Sequence, residues 1–166
     1  MIVVEEKLRD LFDLIPEIEV NPTYSTKPFY SWGRKEALNA YIKVSQSNNY
    51  PLIWLLPAID EVNFRANTVT RKISLIIATL ETRDELSNPQ RYQGSYLHVL
   101  NPLTDYVMQA LRNSTITLIT SSDINVLKEP NYTDADESGT IDKWDAVRID
   151  CEVEFNNNCL KPIKWI

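Results

Sequence analysis

Between Val147 and Phe155 the chain alternates without a break. Val147, Ile149, Cys151, Val153 and Phe155 are apolar, and Arg148, Asp150, Glu152 and Glu154 between them are charged. Successive side chains of an extended strand point to opposite faces, so this spelling describes a β-strand with one buried face and one face toward solvent or a partner. A chain that carries such a strand must also supply strands to pair with it and an apolar layer to cover its inner face.

The rest of the pattern supplies both. Pro51-Leu-Ile-Trp-Leu-Leu-Pro57 is apolar at every position between its prolines and reads as a central strand. In the segment 71–81, Ile73, Leu75 and Ile77 point one way and Ile76, Ala78 and Leu80 the other, which predicts a strand covered on both faces. Two further β-like runs lie at 115–120 and 124–129. Helical spacing joins Val4, Leu8, Leu11, Phe12 and Ile15 up to Pro16, with Glu5, Glu6, Arg9, Asp10 and Asp13 on the opposite side. A second stripe is Ala37, Leu38, Tyr41, Ile42 and Val44, and a third, from about 96 to 112, is Leu97, Leu100, Leu103, Val107 and Leu111. Pro102 inside the third predicts a kink near Asn101, and the polar stretch 82–96 before it reads as a loop. The expected fold is therefore α+β, a mainly antiparallel sheet packed by two to three helices, in one domain spanning 1–166. With three glycines against nine prolines, tight turns are scarce and long connections are expected: an extended, aromatic arm at about 20–32 and a long β-hairpin loop at about 130–145. The segment 159–166, with Trp165, is too apolar for a loose tail and is expected to dock on the body or on a neighbour.

Charge and composition exclude several function classes. A net charge of -6 argues against a basic nucleic-acid footprint or an anionic-membrane surface. No apolar run approaches the roughly 20 residues of a membrane span, and acids directly follow the short apolar start, which predicts a chain that begins at Met1 without a secretory leader. Cys151 and Cys159 form no CxxC or Cys/His pattern, and both are expected to be reduced and structural. His98 is the sole histidine and has no catalytic signature around it. Neither glycine-rich phosphate loop is present. The expectation is a binding protein and no enzyme, with acid–base work by paired carboxylates left open, because pairing in space is invisible in a sequence.

One local pattern carries metal chemistry. Asp134, Asp136, Ser138, Thr140, Asp142 and Asp145, with Gly139 at the sixth position, match the oxygen-ligand spacing of an EF-hand calcium loop. Its flanks read as strands and its last carboxylate is an aspartate, so a solvated acidic turn is the competing reading and no cofactor is expected apart from this calcium option. Candidate subunit contacts are the charged stripe Asp150, Glu152 and Glu154 and the aromatic residues Tyr24, Phe29, Tyr30 and Trp32. The charged stripe reads first as a solvated strand face, with charge pairing to Arg or Lys of a neighbouring subunit as its alternative, and the aromatic residues read equally as folded-back core or as partner anchors.

At the Tyr50–Pro57 run, the 71–81 strand, the helix around Asp105-Tyr-Val-Met-Gln-Ala-Leu111 and the closing segment 144–159, the chain resembles tail terminator and head–tail neck ring proteins of tailed bacteriophages. Its Asn- and Tyr-rich composition is similar to that of phages of AT-rich hosts, crAss-like ones among them. The resemblance implies a virion protein made in the bacterial host cytoplasm. It further implies a homo-oligomeric ring of six or twelve copies at the neck or tail, with other neck, portal or tail proteins as partners, no membrane, and DNA only as passing cargo. A calcium-dependent protein-interaction module around 134–145 is the alternative.

Overall fold

The computed structural model describes residues 2–44, 50–80, 87–130, 132 and 144–166. The first half of the chain runs α1 (Val4–Phe12), β1 (Ile18–Asn21), β2 (Tyr24–Thr26), β3 (Phe29–Trp32), α2 (Lys35–Val44), β4 (Leu52–Leu55), β5 (Asp60–Asn63) and β6 (Thr68–Leu80). A short α3 (Asn88–Arg91), a π-helical stretch (Tyr92–Leu100) and α4 (Asn101–Asn113) follow, then β7 (Thr117–Ile119), β8 (Asn125–Glu129) and β9 (Trp144–Asn156). The class is α+β, as the patterning predicts.

The two long strands β6 and β9 pair antiparallel over their whole length, from Thr68 opposite Asn156 to Leu80 opposite Trp144. Each is flanked by an interrupted strand. β4 and β5 both lie along the outer edge of β6, separated by residues 56–59, where the Leu56 N–H still donates to Ser74 O at 3.0 Å. β7 and β8 lie likewise along β9, with the Thr120 N–H on Glu152 O at 3.0 Å between them. β3 closes one end of the sheet beside β4 and is parallel to it; the other strand pairs are antiparallel.

One face of this sheet is covered along its length. Val69, Ile73, Leu75 and Ile77 of β6 and Val147, Ile149, Cys151, Val153 and Phe155 of β9 pack under α1, the π-helical stretch and α4. Most of the predicted stripe residues meet them: Val4, Leu8, Leu11 and Phe12 of α1, then Leu100, Leu103, Val107 and Leu111, whereas Leu97, predicted to start the third stripe, is about half exposed. Each such aliphatic or aromatic side chain contributes about 1.5–3 kcal/mol on leaving water. The other face is covered over one half only. There Leu38 of α2 packs with Tyr50, Leu52, Trp54, Ile76, Ala78, Trp144 and Ala146. All four β4 residues are buried, as the proline-bounded run predicts.

The structure departs from expectation in three places. Residues 20–32, read as an extended arm, form the β1–β2 hairpin and then β3 at the edge of the main sheet. Helix begins at Asn88, not near 96, so the described part of the predicted loop is helical. The Asn101 N–H reaches back to Tyr96 O, five residues away, and α4 starts beside Pro102, where a missing N–H is tolerated, so the predicted irregularity near Asn101 is a change from π- to α-helical bonding. Third, the 71–81 strand is covered on both faces only from Ile76 onward; its earlier half has one open face. The long loop at 130–145 falls mostly outside the described residues. The segment 159–166 docks on the body: Trp165 meets the Tyr106 ring edge-on at 5.5 Å, and Thr115 Oγ1 donates to Cys159 O at 2.7 Å. Among the described residues no helix is long and apolar enough to cross a membrane.

Candidate interaction face

Residues opposite one another in neighbouring strands share a face, so the register lays out the uncovered half as rows. The covered part ends at the row of Trp54, Ile76, Arg148 and Leu127. Beyond it come Ser74, Asp150 and Asn125, then Lys72 and Glu152, then Glu61, Thr70, Glu154 and Leu118. The carboxylates of the charged stripe therefore all lie on one open surface. Asp150 accepts from Arg148 Nε at 3.1 Å along its own strand, and Glu152 accepts from Thr120 Oγ1 at 2.9 Å. Both contacts are half exposed and hold side-chain orientation more than they stabilise the fold.

Exposed apolar side chains frame these rows. Ile59 in the β4–β5 interruption and Phe64 at the β5–β6 turn are 90% and 83% exposed, and Leu118 and Leu127 stand at the opposite margin, each about half exposed. None of the four was singled out by the patterning. The available signal was an apolar residue inside a turn-forming stretch, Asn63-Phe64-Arg65-Ala66-Asn67, where solvent normally selects polar residues.

The four aromatic candidates do not form one surface. Tyr24 is exposed on β2. Phe29 turns toward α2 and stacks on Tyr41 at 6.2 Å. Tyr30 turns to the opposite face, edge-on to Phe12 at 5.3 Å and tilted against Trp32 at 5.8 Å. Burial and then the nearby Glu5 push the Tyr30 phenol above its usual range. Trp32 carries the Arg9 guanidinium over its ring at 4.5 Å. Tyr30 is thus part of the core, while Tyr24 remains turned to solvent.

Of the calcium-loop candidates, Asp134, Asp136, Ser138, Thr140 and Asp142 lie outside the described residues. Asp145 does not: it is the second residue of β9, fully buried, and its Oδ1 accepts from Arg91 Nη1 at 2.9 Å. A carboxylate committed to a buried guanidinium is poorly placed to close a calcium shell. Among the described residues no group of three or more His, Cys, Asp or Glu side chains could share a metal ion. Cys151 is a buried free thiol whose pKa burial, aided by Asp150, pushes up to about 11; Cys159 is exposed. His98 is exposed on the π-helical stretch.

No protein-family model matches the chain, and no curated protein matches it.

Proposed function

We propose that the chain is a structural subunit that assembles with copies of itself into a ring of six or twelve at the head–tail neck or tail of a tailed bacteriophage, a tail terminator or connector through which DNA passes. The observation that carries this reading is the half-covered sheet. Its rows from Lys72 to Glu154 carry no helix over them and are framed by Ile59, Phe64, Leu118 and Leu127. An open sheet face bordered by several exposed apolar side chains suits a macromolecular partner better than a small substrate. The net charge of -6 suits a passage to which DNA does not adhere. On this reading the protein resides in the virion, meets neck, portal or tail proteins on either side of the ring, and performs no chemistry.

Light scattering on the purified chain, with and without calcium, tests the proposal. A hexamer or dodecamer is the expected result, because closed symmetry is the core of the claim. A mass that depends on calcium would assign the acidic loop 134–145 a part in assembly. A chain that stays monomeric and is absent from virions overturns the reading.

A further inference from the structure

The β5–β6 hairpin holds Phe64 out in solvent on a constrained turn. Asn63 Oδ1 accepts from the N–H groups of Arg65 and Ala66, both at 3.1 Å, and Asn67 supplies the positive φ of 54°. The base of the hairpin is fastened as firmly. The buried Arg71 guanidinium donates to both carboxylate oxygens of Asp60 and, at 2.7 Å, to Glu5 Oε1 of α1. An aromatic side chain on such a support loses little conformational freedom on binding, which is the property of an interface anchor. Phe64 shares a depression of about 290 Å³ with Glu61, Glu154 and Arg65.

On the far side of the molecule, α4 and the C-terminal segment bound a groove of about 500 Å³. Pro102, Tyr106, Met108 and Ile166 supply its apolar lining, and Asp105 and Arg112 supply charge. The segment is held there by Gln109, whose Nε2 donates to Ile166 O at 3.2 Å and whose Oε1 accepts from the Ile166 N–H at 2.9 Å. Lys161 and Lys164 are exposed along the same segment.

The two surfaces complement each other in kind. Phe64 matches the Tyr106 and Met108 lining, Glu61 and Glu154 match Arg112, and Arg65 matches Asp105. We propose that the β5–β6 hairpin of one copy docks in the α4 groove of the next, with Phe64 as the anchor. This rests on the ring reading and names the contact that builds it. Glu61 and Glu154 lie on the open sheet face, whereas α4 packs on the covered face, so the contact joins two different patches. Such a head-to-tail contact closes as a ring or runs on as a filament.

Sedimentation of the full chain and its variants across a concentration series is the test, with thermal melting as a fold control. Phe64→Ala removes an 83% exposed ring and leaves the core intact; it should weaken association by about thirtyfold or more. Arg112→Glu, and Glu61→Lys combined with Glu154→Lys, should each weaken it, and a chain carrying all three changes should recover it. Rings that form equally well in Phe64→Ala and Arg112→Glu overturn the docking and leave the ring reading standing. A wild-type chain that stays monomeric throughout overturns the docking, and one that is also absent from virions overturns the ring reading with it.

Discussion

Arg91 and Asp145 meet where the short α3 enters the core, and both are shielded from water, at 2% and 0% exposure. A buried guanidinium without its carboxylate is far more costly than the intact pair is stabilising. Asp145→Ala is expected to lower stability by about 3–5 kcal/mol, read as a lower urea midpoint at unchanged slope. A loss below about 1 kcal/mol would mean that the Arg91 guanidinium is compensated without Asp145. Arg71 makes the parallel case beneath β5. Burial alone would lower its pKa, yet the hydrogen bonds to Asp60 and Glu5 more than offset this and raise it. Neither pair was legible from spacing, because Arg91 and Asp145 are 54 residues apart and Arg71 and Glu5 are 66 apart.

At the scale of elements, the turn from β3 into α2 depends on Gly33. Its φ of 156° is one that side-chain-bearing residues rarely adopt, and an added Cβ would stand 3.0 Å from Trp54 Cζ2 and 3.2 Å from Ala37 Cβ. The Gly33 carbonyl also accepts from Trp54 Nε1 at 3.0 Å, so glycine, ring and helix start form one joint. Gly33→Ala should cost about 1–3 kcal/mol, and its thermal melt relative to the wild type measures this; an unchanged melt would show that Trp54 shifts without penalty. Periodic elements such as α1 and β9 were legible because each presents one apolar face to one core. β1, β2 and β3 were not, since at three or four residues each they are too short to display a period, and β3 finds its place only through β4. Of the π-helical stretch only the part from about 96 was legible as helix, and Leu97 was assigned to the wrong face, because its wider turn does not repeat at 3.6 residues.

For the molecule as a whole, burial raises the pKa of three acidic groups: Cys151 from 9.0 to about 11, and the phenols of Tyr30 and Tyr96 above 10.0. The unfolded chain releases these protons at their ordinary values while the folded chain retains them. The stability they contribute is therefore complete below about pH 9 and declines as pH climbs through the raised values. Urea midpoints measured from pH 8 upward should fall above pH 9 and more steeply once the tyrosines join; a flat profile to pH 11 would show that the folded chain sheds these protons freely. The open rows of the sheet belong to this scale too. That β9 has a charged face was plain from its alternation, and so was the inward placement of Val147 through Phe155. What the pattern alone determined was which side chains leave water, because periodicity is a local property that each strand and helix carries in its own spelling. Only the tertiary structure decided which faces find a cover, that α2 shields one half of the second sheet face and does not reach Glu61, Glu152 and Glu154, because that depends on how far one element reaches over strands distant in the chain.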